Sequence, residues 1–314
     1  MPDINIIKVE GKPIEKLIDV ISNAIGTHYR PKAIRKEADS RAYEIEIIER
    51  ARAKAKAESN EIEADSYVRI NERFLFKELK RQQNIDNVSQ IAAQQLYNEE
   101  IVSDAPVDND WTSRFFNIIE DISDNEMQQL WGRILAGEVR RPNSYSLRSL
   151  ELLKNLTKNE ADVFVKFVQA KIGCGDDGFV YNKNSGKYLE EKFGITITDR
   201  LLLTELGLLS TNDDLVFSLD SLNQDDETVI FKYGTKGLFF YRGSDVPAQT
   251  IEILKFTKTG EELSRLISQD SKTDYIEEIC SVFIHPNVRI EYGDLVEEPN
   301  GNILIQNKVE FLQK

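Results

Sequence analysis

The chain has 314 residues, 40% apolar and 30% charged. That composition excludes a disordered or fibrous protein and suggests about two domains. Its 40 Lys and Arg stand against 54 Asp and Glu, for a formal net charge of −14. Nucleic acid is therefore not an expected partner, because cations must replace the counterions of a phosphate backbone. Cys174 and Cys280 lie far apart, and His28 and His285 sit in turn-like contexts, Thr27-His28-Tyr29 and His285-Pro286. They offer no disulfide framework, zinc-finger spacing or catalytic dyad, so neither metal nor cofactor is expected.

The first residues, Met1-Pro2-Asp3-Ile4-Asn5, carry no apolar core of the signal-peptide type. No stretch reaches the ~18 uncharged apolar residues of a membrane span. A cytoplasmic protein without a span is the expectation. Charge is uneven: residues 31–100 hold 13 Lys/Arg and 14 Asp/Glu, whereas residues 151–314 hold 18 and 28. The acidity is concentrated in the C-terminal half.

In chain order, residues 1–30 contain a short amphipathic helix. Pro13 suits a first helical turn, and Ile14, Leu17, Ile18, Ile21 and Ile25 follow at helical spacing until Gly26. Residues 31–105 form a long helix or a coiled-coil hairpin stalk. From Lys32 to Ala105 there is neither Gly nor Pro over 74 residues. A narrow stripe of Ile45, Ile48, Ala51, Ala55 and Ile62 marks a face for self-association. An alanine-rich seam buries little area at ~25 cal/mol per Å², so such a helix needs a partner. Gln82, Gln83, Asn84 and Asn87 interrupt the apolar pattern and predict a bend there.

A helical core is predicted over 106–172. Asp110 is the expected N-cap of its first helix, and Ser123 with Glu126 the capping box of its second. Ser146 or Ser144 starts the third, and Thr157 with Glu160 opens the fourth. Arg133, Glu138, Arg140, Arg141 and Arg148 form a polar cluster within this region. Helix ties and dipole complementation explain it, with a phosphate or acidic partner as the functional alternative.

From 173 the pattern changes to short β-branched and aromatic runs. Strands are expected at 178–182, 215–219, 228–233, 238–241 and 252–256, with helices at 199–209 and from 261. Residues 271–314 read as a helix and a β-hairpin tail. The expected class is thus mainly α with a C-terminal α+β part.

Three segments then carry a resemblance: Trp111-Thr-Ser-Arg-Phe-Phe116, Ile122-Ser-Asp-Asn-Glu-Met-Gln-Gln-Leu-Trp-Gly-Arg-Ile-Leu-Ala-Gly-Glu138 and Pro142-Asn-Ser-Tyr-Ser-Leu-Arg-Ser-Leu150. Residues 111–156 resemble a bacterial family known as domain of unknown function 2806. The resemblance extends less specifically to the helix before and the α+β part after, and it transfers no catalytic residue. Thr204-Glu-Leu-Gly-Leu-Leu209 and Phe256-Thr257, with Gly260, Glu262 and Leu263, look like corners of a winged-helix module spanning 195–270. There Thr259 with Glu262 is the expected capping box. The candidate recognition helix has one base, Arg200, beside Asp199 and Glu205, which favours protein contacts over DNA reading.

Two further motifs invite chemistry. Gly173-Cys-Gly175-Asp-Asp-Gly178 matches a dinucleotide fingerprint literally, but a helix is expected before it and a strand after it, the wrong context. Asp176, Asp177, Glu190 and Lys192 are the carboxylates and lysine that a metal-dependent nuclease would use. The reading favoured by the sequence is a non-enzymatic scaffold that forms homo-oligomers through its long helix and binds a protein partner. A regulatory place in bacterial stress or phage defence goes with it. The nuclease and a DNA-binding regulator are the alternatives.

Overall fold

The computed structural model describes residues 11–26, 61–97, 99, 101–175, 177–212, 214–222, 226–297 and 303–312. Internal contacts divide the chain into two units, 1–150 and 151–314. The first is helical and the second is an α+β unit around one large antiparallel sheet. No helix among the described residues is long and apolar enough to cross a membrane.

The helical unit contains α1 (Lys12–Ile25), α2 (Glu61–Leu96), α3 (Asn109–Ile119) and α4 (Asn125–Arg140). It also holds the start of α5 (Leu147–Asn155), which straddles the boundary. In α1, Ile14, Leu17, Val20 and Ile21 are buried, and Gly26 ends the helix in the left-handed region at φ 71°. Lys16 Nζ donates to the carbonyls of Ser103 and Ala105 at 2.8 and 2.9 Å, tying α1 to the segment before α3. Burial lowers the Lys16 pKa.

Helix α2 runs without a break through Gln82–Asn87, which corrects the predicted bend. Of those amides, Asn84 and Asn87 face a partner. Asn84 Nδ2 donates to the Glu120 carbonyl at 2.7 Å and Asn87 Nδ2 to Gln128 Oε1 at 3.1 Å. Between and beyond them Ile85, Val88, Ile91, Ala92 and Leu96 are buried. Polar residues at helical spacing mark a polar helix–helix contact as readily as a turn.

Capping shifts two helix starts. Asp108, two residues before the predicted Asp110, accepts from Trp111 N at 2.8 Å and begins α3. Asp124, one after Ser123, accepts from Met127 N at 2.9 Å and begins α4. Either carboxylate satisfies an orphan amide, so a run of Ser and Asp leaves the cap undetermined by one or two positions.

The second unit contains α6 (Lys158–Gln169), β1 (Lys171–Cys174), β2 (Asp177–Tyr181), α7 (Lys187–Phe193), α8 (Ile197–Glu205) and β3 (Val216–Leu219). It continues with β4 (Glu227–Tyr233), β5 (Lys236–Arg242), β6 (Gln249–Lys255), α9 (Lys258–Ser264), α10 (Thr273–Val282), β7 (Val288–Glu297) and β8 (Ile303–Glu310). The eight strands are ordered β3-β6-β2-β1-β4-β5-β7-β8, antiparallel throughout. Strands β7 and β8 prolong the main sheet. Helix α6 opens with the predicted capping box, Thr157 and Glu160. Helix α9 is capped by Thr257, which accepts from Gly260 N, rather than by Thr259.

Strand β1 was not expected. It turns into β2 through Gly175 at φ 61°, so the G-x-G-x-x-G run is a β-hairpin. The expected helix, α6, ends at Gln169 and the short β1 stands between it and the turn, and no helix follows to face a pyrophosphate. The expected helix at 199–209 begins at Ile197 and ends at Glu205, where Gly207 at φ 71° turns the chain and sends Leu208 and Leu209 into the core.

Phe231 sits at the centre of that core. It lies 5.0–5.7 Å from the rings of Phe179, Phe217, Phe240 and Phe283. Helix α10 covers this face with Tyr275, Ile276, Ile279, Cys280 and Phe283. Burial pushes the Cys280 thiol up to about 12, which makes it an apolar filler.

Candidate interaction surface

The surface of α2 changes character along its length. Before the buried stretch, Ile70, Phe74 and Phe76 are 66%, 64% and 71% exposed, and Leu79 is also exposed. Ile70 and Phe74 are one turn apart, as are Phe76 and Leu79, but the two pairs point in different directions around the helix. An apolar surface wrapped around so much of a helix is the signature of a buried one. Of the predicted self-association residues, Ile45, Ile48, Ala51 and Ala55 lie outside the described residues. Ile62 falls in the first turn of α2, and its side chain is outside the description too. Ile70 and Phe76 carry no signal in the sequence, because apolar residues on several helix faces make no single stripe.

The residues that carry the family resemblance build the packing of the helical unit. Gly132 lets α4 cross α2: a Cβ there would lie 2.4 Å from Ile91 Cγ2. Trp111 stacks on Phe115 at 4.9 Å, and Phe115 meets Trp131 edge-on at 5.6 Å. Trp111 Nε1 donates to the Tyr145 carbonyl at 2.7 Å. Glu138, 1% exposed, accepts from the backbone amides of Asn143 and Tyr145 at 2.6 and 3.0 Å. Its buried charge is thus used to hold the turn between α4 and α5, where Asn143 has φ 68°. A Cβ on Gly137 would press on the Tyr145 ring at 2.9 Å.

The predicted arginine cluster divides. Arg140 Nη1 pairs with Glu99 at 2.8 Å. Arg133 and Arg148 are exposed on α4 and α5, and Arg141 is exposed at the α4 C-cap. Glu138 serves the turn through the Asn143 and Tyr145 amides.

The acidic set at 176–192 is spread over two elements. Asp176 lies outside the described residues, Asp177 begins β2, and Glu190 and Lys192 are exposed on α7. Lys192 Nζ donates to Asp274 Oδ2 of α10 at 2.7 Å and holds that carboxyl below its ordinary pKa. Among the described residues no group of three His, Cys, Asp or Glu is placed to hold a metal ion.

Residues 68–280 match the family described as Protein of unknown function (DUF2806). The chain belongs to that family. The match begins on α2 and ends in α10, so it spans both units. No curated protein and no solved structure matches the chain.

Proposed function

We propose that this member of the DUF2806 family is a non-enzymatic interaction protein that self-associates through α2. The observation that carries the reading is the exposure of Ile70, Phe74 and Phe76 on a helix whose later turns bury Ile85, Val88, Ile91, Ala92 and Leu96. Helices draw most of their stability from tertiary burial of an apolar face. Apolar area left in water forgoes ~25 cal/mol per Å². A second copy of the same surface supplies the missing cover at the least geometric cost, through an isologous contact. Because the exposed residues point in two directions, an assembly with more than one neighbouring helix fits better than a simple pair.

The test is light scattering over a hundredfold concentration range, with small-angle scattering on the same samples. The expected result is a stable dimer or larger species that the double variant Ile70→Glu/Phe74→Glu converts to monomer. A wild type that stays monomeric throughout overturns the reading.

A second reading has its own support. Within the sheet, β2, β6 and β3 are adjacent, and α7 and α8 lie between β2 and β3 in the chain. That order is the one a winged-helix unit has, with the β4–β5 hairpin as a long insertion between its last two strands. Helix α8 would then be the recognition helix. It exposes Ile197 and Leu201 at 57% and 63%, and its Arg200 guanidinium is directed at Asn182 Oδ1 and the Ser185 carbonyl. An apolar surface without free basic reach favours a protein partner over base edges. Tight, salt-sensitive binding to duplex DNA would instead favour the regulator. The nuclease reading has less support, since Lys192 is engaged by Asp274.

A further inference from the structure

The sheet of the second unit is covered unevenly on one face. Helix α10 packs through Tyr275 and Phe283 onto Phe231 and Tyr233 of β4 and Phe240 of β5. The strands beyond, β7 and β8, form the outer margin of the sheet. Tyr292 and Val309 are paired across that margin, which places them on the same face. Tyr292 and Phe311 reach the edge of the aromatic core, whereas Val309 and Leu312 are 47% and 71% exposed.

Between α10 and these strands lies an open cavity of about 630 Å³. Its floor is Tyr292, Val309, Phe311 and Leu312, and its wall along α10 carries Asp274, Glu277 and Glu278. Two of the carboxylates are engaged, Asp274 by Lys192 and Glu278 by Lys183, at 2.7 and 2.6 Å. Glu277 is exposed at the rim.

Dimensions and charge together narrow the occupant. Two strands occupy ~10 Å across a sheet, which is the spacing at which one helix packs beside another. A second helix laid alongside α10 would cover the outer strands with an apolar face. Its flank toward α10 would meet the carboxylates of that helix, with Glu277 the exposed one, so Lys or Arg is the complement on that side. We propose that this groove docks a basic amphipathic helix of a partner protein, with apolar side chains on Val309, Phe311 and Leu312. The surface lies within the sheet unit and is independent of self-association through α2.

The full-length chain is titrated into three labelled 16-residue peptides at physiological salt, with fluorescence anisotropy as the readout. One is an amphipathic Leu/Lys helix, one replaces every Lys by Glu, and one is the Lys peptide with a central Pro. The Leu/Lys peptide is expected to bind, and the Glu and Pro peptides to bind at least about tenfold more weakly. Glu277→Lys and Val309→Glu should each weaken the Leu/Lys peptide by about tenfold, from charge and from lost apolar contact. Asp162→Lys, at an exposed position of α6, controls for net charge and Phe74→Glu on α2 controls for self-association, and both should leave binding within about twofold. Absence of binding overturns the proposal, as does a loss with Asp162→Lys equal to that with Glu277→Lys. Equal affinity for the Pro peptide would also overturn it, by excluding a helix as the occupant.

Discussion

The two units solve the covering of apolar surface in different ways. In the helical unit, α2 and α4 meet along a seam of small and amide-bearing residues: Asn84, Asn87 and Val88 on one side, Gln128 and Gly132 on the other. In the sheet unit, the equivalent work is done by large rings around Phe231. A seam of glycine and amides fixes where two helices cross, because a missing Cβ and a directed hydrogen bond each tolerate one register. A cluster of rings contributes mostly area, and its geometry is shared among many neighbours. The helical unit should therefore be sensitive to added volume and the sheet unit to removed volume.

The largest effect is expected from Phe231→Ala. The ring is fully buried among four other aromatic side chains, so its loss leaves a cavity lined by groups that cannot all collapse inward. A destabilisation of about 3–5 kcal/mol follows, read as a lower denaturation midpoint. Gly132→Ala tests the other unit. Alanine favours a helix by roughly 0.5–1 kcal/mol over glycine. Here, however, the new methyl meets Ile91 Cγ2 at 2.4 Å and Cβ at 2.6 Å. Overpacking of that kind costs about 1–3 kcal/mol, so the net effect is a loss. A stabilised Gly132→Ala would show that the α2–α4 crossing is loose and would remove the contrast.

Next comes the N-cap of α6. Thr157 Oγ1 lies 3.4 Å from Glu160 N, and Glu160 Oε2 accepts from Thr157 N at 2.7 Å. That backbone hydrogen bond, with the Thr157 hydroxyl, holds the Glu160 pKa below its ordinary value. A depressed carboxyl pKa adds stability above the unfolded value and loses it as pH falls through the folded value. Thr157→Ala should cost ~1 kcal/mol near neutral pH, and less in acid once Glu160 is protonated in both states. Thermal melts of both proteins at neutral and acidic pH would check it.

Much of the fold is legible in the sequence for a physical reason. Seven of the eight strands were expected: β2 to β6 coincide with runs of β-branched and aromatic residues, because a sheet face buries such residues at period two, and β7 and β8 are the hairpin tail. Strand β1 escaped because Lys171-Ile172-Gly173-Cys174 is short and contains a glycine, which reads as loop. The bend predicted at Gln82–Asn87 failed because sequence does not show that Gln128 and the Glu120 carbonyl wait opposite. For the candidate surfaces the gap is wider. Tyr292, Phe311 and Glu277 come together only because β7 and β8 join the main sheet beside α10, and nothing local to any of them records that pairing.

The smallest effect on stability is expected where the effect on assembly is largest. Phe74 is 64% exposed on α2, so Phe74→Ala removes little packed volume from the monomer. Exposed substitutions away from caps and buried networks change stability by at most about 0.5 kcal/mol. If the exposed stretch of α2 is covered by other copies, the melting temperature of the wild type rises with protein concentration, since association stabilises only the folded state. Phe74→Ala should flatten that dependence while leaving the dilute limit in place. Val88→Ala makes the matching test on the packed half of the same helix. Val88 is fully buried, so its truncation should lower the melting temperature at every concentration and leave the slope alone. The opposite pattern, a concentration slope governed by Val88 and indifferent to Phe74, would mean that copies meet through the helical unit's core face, and that the exposed stretch of α2 has another purpose.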